Sequence, residues 1–162
     1  MITFNRTTIV SLGLILGGCT GEVVFVADQA ISASGWSSTD RPEFCFDISD
    51  TLVRHDVFID VRHTGDYPFS DLYVFVDLDG PGNLHIRDTV ECILADASGN
   101  WFGKGTGFVV TDAYRAHVLY KLGNRFPRKG RYCMRLEQAM RTDPLPEILD
   151  VGITIARSER TR

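Results

Sequence analysis

No stretch after residue 40 carries the apolar repeat of a helix, with neighbours three and four positions apart, which sets aside all-α and α/β architectures. The longest apolar run, Ile9 to Leu16, is interrupted by Gly13 and followed by Gly17 and Gly18. It is far short of the about 20 apolar residues that a bilayer-spanning helix needs. Cysteine numbers only four, and no Cys/His spacing of the zinc type occurs, so metal and cofactor sites are not expected. His55, His63, His85 and His117 are scattered. The word Gly-x-Ser-x-Gly, which the nucleophile elbow of an α/β-hydrolase requires, is missing. Asp77, Leu78, Asp79 and Gly80 resemble the opening of a calcium loop, but Pro81 and His85 interrupt it and the distal glutamate is absent. Basic charge is not in excess either: 17 Lys and Arg stand against 21 Asp and Glu, interspersed along the chain, for a formal charge of −4. That pattern argues against nucleic-acid or anionic-lipid binding through a basic face. No enzyme class is assembled by these residues.

What is present begins with the amino terminus. A single cation, Arg6, precedes the apolar run, and small residues follow it, the order of a secretory signal. The word Leu16, Gly17, Gly18, Cys19 resembles the bacterial lipobox, in which the peptide before the cysteine is removed and the cysteine is acylated. Residues 1–18 are thus expected to be a lipoprotein signal peptide and Cys19 the lipidated first residue, anchored in a membrane. Residues 19–40 read as a lipidated start followed by a tether or a first strand, in which Val23, Val24, Phe25 and Val26 would lie and Ser32 to Asp40 would form a linker holding Trp36. Residues 41–157 read as one domain and 158–162 as a flexible tail, with a local basic excess at this end of the chain in Arg157, Arg160 and Arg162.

Within the domain, side-chain character alternates with period two. Val57, Ile59 and Val61 alternate with Asp56, Phe58, Asp60 and Arg62, and the pattern recurs through Leu84 to Leu94, Tyr114 to Tyr120, Tyr132 to Leu136 and Leu149 to Ile155. His55, His85 and His117 fall on the polar phase, and Leu72 to Val76 is apolar in both phases, as in a central, covered strand. Turn residues separate the runs at Thr64–Asp66, Asp79–Gly82, Ser98–Asn100 and Lys129–Gly130. About seven to nine antiparallel strands follow, and one apolar face per sheet demands a second layer, so the expected fold is an all-β, two-sheet sandwich of jelly-roll or immunoglobulin-like type.

An exported chain permits disulfides. Cys45 and Cys133 each sit out of phase with the apolar residues of their strands and are the expected bridge, with three reduced thiols as the alternative, while Cys92 is in phase with Val90 and Leu94 and reads as a small buried hydrophobe. Trp36, Tyr67, Phe69, Trp101 and Phe102 lie near turns, where rings either close the ends of a core or present flat faces to a sugar or a protein. The segment Gln138 to Pro146 has explicit turn chemistry in Thr142, Asp143, Pro144 and Pro146, and should be an ordered, exposed loop. Arg141 beside Asp143 offers either a partner contact or a local salt bridge. Tyr67, Phe69, Trp101, Arg141 and Asp143 are accordingly the residues expected to meet a partner.

Several words occur in a fixed order: His63 to Tyr73; Thr89 to Cys92, running on to Gly99, Asn100, Trp101, Phe102, Gly103, Lys104 and Gly105; Phe126, Pro127, Lys129, Gly130 and Tyr132; and Glu137 to Leu145. Together they resemble the GldH family of gliding motility lipoproteins from Bacteroidota, and the lipobox agrees with that resemblance. The resemblance implies a non-enzymatic, lipid-anchored structural or adaptor protein associated with gliding motility and the linked secretion machinery, with other envelope lipoproteins or gliding proteins as partners. Lipoproteins sent to the cell surface in Bacteroidota resemble one another in an acidic cluster behind the cysteine, whereas Thr20, Gly21, Glu22 and Val23 carry one carboxylate. The periplasmic face of the outer membrane is therefore the expected location. A carbohydrate-binding module using Trp36 or Trp101 is the alternative function.

Overall fold

The computed structural model describes residues 22–103 and 113–159; the signal segment, Cys19 and the last three residues of the tail lie outside the described residues. Eight strands fold the described chain, namely β1 (Val23–Ala30), β2 (Glu43–Ile48), β3 (His55–Thr64), β4 (Asp71–Gly80), β5 (Leu84–Ile93), β6 (Ala113–Asn124), β7 (Gly130–Gln138) and β8 (Ile148–Arg157). They form two four-stranded sheets, ordered β1-β8-β3-β6 and β2-β7-β4-β5. Every pairing is antiparallel. The architecture is an all-β sandwich.

Alternation produces the two layers. Val57, Ile59 and Val61 of β3 and Val151, Ile153 and Ile155 of β8 are almost fully buried, and they face Phe44 and Phe46 of β2, Leu72, Val74 and Val76 of β4, and Tyr132, Met134 and Leu136 of β7. Each sheet removes one face from water only by covering the other, so neither layer would be stable alone. Gly152 on β8 is a packing requirement, since a Cβ there would lie 2.4 Å from the Ala27 carbonyl oxygen of β1.

Two readings of phase need correction. β4 is interior, hydrogen-bonded on both sides, yet its outer face is not covered: Tyr73 is 38% exposed and Phe75 lies beneath the Arg87 guanidinium, 4.4 Å from its ring centroid. His55 is buried, not on the polar phase: it shares the inward phase of Val57, Ile59 and Val61, pairs with β8 in the same regular register, and packs against Phe126.

Both outer faces are stitched by charge. On the β2-β7-β4-β5 face Arg87 pairs with Asp77 and Glu137, and Arg135 pairs with Asp79 and Glu43. Between Glu43 and Arg135, the directly opposed Cys45 and Cys133 form a disulfide. Cys92 is a free, buried cysteine whose thiol is pushed up to about 12, chiefly by burial. On the other face the Asp60 carboxylate is 6% exposed and accepts from the His117 ring at 2.6 Å and the Thr154 hydroxyl at 2.6 Å. Burial alone would raise the Asp60 pKa, but these hydrogen bonds with the nearby cations outweigh it and hold it below the usual carboxylate range.

The register defines two poles. At one, β1 begins beside the end of β8 (Val23 opposite Ala156), β3 begins opposite the end of β6 (His55 opposite Asn124), and β2 ends opposite the start of β7 (Ile48 opposite Gly130). Phe126, packed on both His55 and Tyr132, joins the two sheets there. The connections β1–β2, β3–β4 and β7–β8 all lie at the other pole.

Candidate functional site

The pole away from the start of β1 carries most of the residues that the sequence marked. Its foundation is Trp36, which is fully buried, donates from its indole nitrogen to the Asp40 carbonyl at 2.9 Å, and exchanges backbone hydrogen bonds with Leu145 at 2.8 and 2.9 Å. The segment read as a linker is therefore a plug that fastens the β7–β8 connection to the β1–β2 connection. A ring enclosed in this way has no face to offer a sugar.

The β7–β8 connection is then held by five more hydrogen bonds. Asp143 accepts from the Ser38 amide at 3.0 Å and the Ser38 hydroxyl at 2.6 Å, which keeps its carboxyl below the ordinary range. Gln138 receives the Met140 amide at 2.8 Å and donates to the Thr142 carbonyl at 3.2 Å. The Ala139 amide donates to the Tyr73 carbonyl at 2.8 Å. The peptide bond before Pro144 is cis. The loop is thus ordered, as its turn residues imply, and Arg141 to Pro144 are exposed upon it. The expected Arg141–Asp143 salt bridge does not form: the Asp143 carboxylate is spent on Ser38, and no carboxylate among the described residues pairs with Arg141.

Beside this loop the β3–β4 connection contributes a stack of rings. Tyr67 is buried, its hydroxyl donates to the Asp71 carbonyl at 3.0 Å, and burial raises its pKa. It supports Phe69 edge-on at 5.7 Å and leans on Trp101 at 6.3 Å. Trp101, half-buried and bridged to Ala95, covers the buried His63 at 4.7 Å. His63 donates from Nδ1 to the Thr64 carbonyl at 2.8 Å while its Nε2 has no partner; burial, opposed by that hydrogen bond, lowers its pKa and keeps it neutral.

Between the two loops lies an open groove of about 280 Å³, walled by Phe69, Tyr73, Ala139 and Met140 and rimmed by Arg141 and Thr142. Of the five residues expected to meet a partner, the fold brings Phe69 and Arg141 to this groove. Tyr67 and Trp101 stand behind it as support, and Asp143 braces its floor. Tyr73 and Met140 were not singled out from the sequence. Tyr73 was hidden inside a run that is apolar in both phases, and the signal available was its odd position in β4, opposite Glu91, which places it outside.

The groove offers apolar walls and one cation, Arg141. The two carboxylate–imidazole pairs of the described residues, Asp60–His117 and Asp79–His85, lie on the outer faces of the sheets, and neither imidazole is hydrogen-bonded to a serine, threonine or cysteine. Glu43, Cys45 and Cys133 come within 4.8 Å of one another, but the two sulfurs are joined and offer no thiolate to a metal.

Fold and groove together define a two-sheet, all-β sandwich with an apolar groove at one pole. Residues 23–155 match the family model described as GldH lipoprotein, and the chain belongs to that family. It is 28% identical over 153 residues to a gliding motility lipoprotein GldH homolog of Christiangramia forsetii, covering 90% of this chain and 91% of that protein. It is 25% identical over 162 residues to the gliding motility lipoprotein GldH of Flavobacterium johnsoniae, covering 96% of this chain and 98% of the other. Among solved structures, a family GH115 4-O-methyl-α-glucuronidase is similar at a TM-score of 0.43 and 13% identity over 96% of this chain and 20% of its own, too distant for anything to be carried across.

Proposed function

We propose that this chain is a non-enzymatic, lipid-anchored adaptor of the gliding motility apparatus and its linked secretion machinery, acylated at Cys19 and held at the periplasmic face of the outer membrane. Its partners would be other envelope lipoproteins or gliding proteins. The observation that carries the reading is the groove of Phe69, Tyr73, Met140 and Arg141, built at the pole opposite the start of β1. A partner bound there is reached without obstructing the anchor. Membership of a family of gliding motility lipoproteins supports the cellular setting.

A photo-crosslinking residue placed at Tyr73 in the full-length chain tests it in intact cells. The expected result is an adduct with an envelope protein of the gliding or secretion apparatus, diminished by Arg141→Glu. Adducts absent from Tyr73, together with binding of the purified chain to a defined polysaccharide, would transfer the reading to a carbohydrate-binding module, for which the half-buried Trp101 is the remaining indole.

A further inference from the structure

The outer face of the β1-β8-β3-β6 sheet is not uniform. Its register lays the outward residues in rows that cross all four strands. Toward the groove pole the rows are ionic: Ala30, Asp150, Arg62 and Arg115 stand in line, and Asp28, Gly152, Asp60 and His117 form the next. Asp150 pairs with Arg62 and with Arg115 at 3.5 Å, and Asp60 with His117 at 2.6 Å. Toward the pole where β1 begins the character changes. Val26, Thr154, Phe58 and Leu119 make the third row, and Val24 on β1 and Leu122 on β6 lie beyond it.

Val24 is 44% exposed, Val26 58%, Leu119 46% and Leu122 51%. Between them Phe58 lies flat against His117 at 4.0 Å, and the Thr154 hydroxyl donates to Asp60 at 2.6 Å, so the row leaves no side-chain donor free. Four half-exposed aliphatic side chains on one half of a sheet face, bounded by ion pairs, form a contact surface for something apolar. Charge does not select the occupant. Asp56, the next outward residue of β3, accepts from the Gly123 amide at 2.7 Å and keeps its charge; Glu22 and Arg157 pair at 3.2 Å on the margin, and exposed Arg54 and Glu159 add one charge of each sign. What selects it is the tether. Three residues separate Cys19 from Val23, and the four extended steps between them reach at most about 14 Å, so an acylated Cys19 holds this end of the sheet at the lipid surface.

We propose that this half of the sheet face rests on the bilayer, with Val24, Val26, Leu119 and Leu122 at the boundary between headgroups and acyl chains. Docking of this kind rests on acylation of Cys19. It is shallow, because Asp56 keeps its hydration only among the headgroups. It is indifferent to headgroup charge, because its margin carries both signs. The groove, at the far pole, stays in water.

The test places the acylated mature chain in phosphatidylcholine nanodiscs that contain a lipid with a nitroxide at the top of its acyl chain, and reads methyl resonances. Val24, Val26, Leu119 and Leu122 should be broadened several-fold more than Ile86 and Ile93, which are exposed on β5 of the other sheet. The pattern should persist when phosphatidylglycerol is added and when salt is raised. The double variant Val26→Ser, Leu119→Ser should stay attached yet lose the broadening at Val24 and Leu122, each side chain contributing about 3- to 10-fold to the ratio of docked to undocked chains. Unchanged resonances of buried Val74 and Ile153 report an intact fold, and Leu122→Gln alone gives a smaller loss of the same sign. Chains that stay attached but broaden no more at these four residues than at Ile86 and Ile93 overturn the docking alone. Chains that do not remain with the nanodiscs overturn the anchor reading and the docking with it. Broadening that needs anionic lipid and vanishes in high salt would overturn contact through the apolar side chains. A dimer of the unacylated chain in lipid-free solution, with Leu119 resonances that shift with concentration, would give the face to a second copy and also overturn the proposal.

Discussion

Trp36→Ala should cost more than any other single truncation at the groove pole, and the amount can be worked from its surroundings. The indole is fully enclosed in the core cluster, and its nitrogen donates to the Asp40 carbonyl. Truncating a buried tryptophan typically costs about 3–5 kcal/mol, part of it lost transfer energy and part the cavity left behind. Against a total stability on the order of 5–15 kcal/mol, that is a large fraction. For a domain of this size it corresponds to a fall in Tm on the order of 10–20 °C. Trp36→Phe keeps most of the ring and loses the hydrogen bond, so it should cost about 1–3 kcal/mol, the penalty of a buried carbonyl left without its donor. Urea unfolding followed by far-ultraviolet circular dichroism measures both, since fluorescence would be confounded by deleting one of only two tryptophans. Hydrogen exchange adds a local readout: the Leu145 amide donates to the Trp36 carbonyl and should lose protection in Trp36→Ala before the β4 amides do. A Trp36→Ala chain within about 1 kcal/mol of the parent, with Leu145 still protected, would refute the view that this residue fastens the groove loop.

Other consequences follow from single features. The disulfide joins residues 88 apart in sequence, so Cys45→Ser with Cys133→Ser should cost about 2–5 kcal/mol in urea unfolding. In the intact chain a thiol reagent should find Cys92 only after denaturation, because its thiol is buried and pushed up to about 12. His63 has its pKa lowered from 6.5 by burial, so its neutral form is favoured in the fold: its contribution is full above pH 6.5 and is lost as pH falls from there toward the lowered folded value. Unfolding free energy should therefore drop between pH 7 and pH 5 with a slope of at most about 1.4 kcal/mol per pH unit per histidine, and His63→Gln should flatten that slope. Gly152→Ala should destabilise by about 1–3 kcal/mol, measured by denaturant titration, because the new Cβ meets backbone of β1 at 2.4 Å and cannot be relieved by rotating a side chain.

Period-two alternation made the sandwich legible, because a strand with one apolar face writes its orientation into every second residue. It marked Val57, Ile59 and Val61 as inward, and it put Cys45 and Cys133 on the other face. It was obscured where residue type masks the phase. A polar side chain disguised His55, which shares the inward phase of Val57 and Ile59, and the double-apolar run of β4 disguised an outer face on which Arg87 covers Phe75. Irregular segments were illegible for a different reason. Trp36 is fixed by Leu145, and Ser38 by Asp143, through contacts more than a hundred residues apart that leave no local pattern. The groove shared that difficulty: its two loops were each recognisable by turn chemistry, but their adjacency, and with it the role of Tyr73, is a property of strand order.

The two poles together constrain how the protein can act. β3 runs from one pole to the other over ten residues, about 33 Å at the usual rise per residue, so on the proposed acylation of Cys19 a partner in the groove would be carried about that far from the pole where the tether begins. An adaptor anchored as proposed would hold its groove near one height above the bilayer, which would raise the effective concentration of a partner in the same membrane. Inserting ten Gly and Ser residues after Thr20 separates this geometry from the contacts themselves. The pole would then wander over about 20 Å instead of being confined by the three residues between Cys19 and Val23, while the sandwich and its groove stay intact. Crosslinking from Tyr73 to the partner should fall several-fold in cells, yet binding of the purified chain to the same partner in solution should be unchanged. Equal crosslinking with the short and the long tether would show that height above the membrane is irrelevant, and the groove would have to be understood as an ordinary docking site on a freely tumbling module.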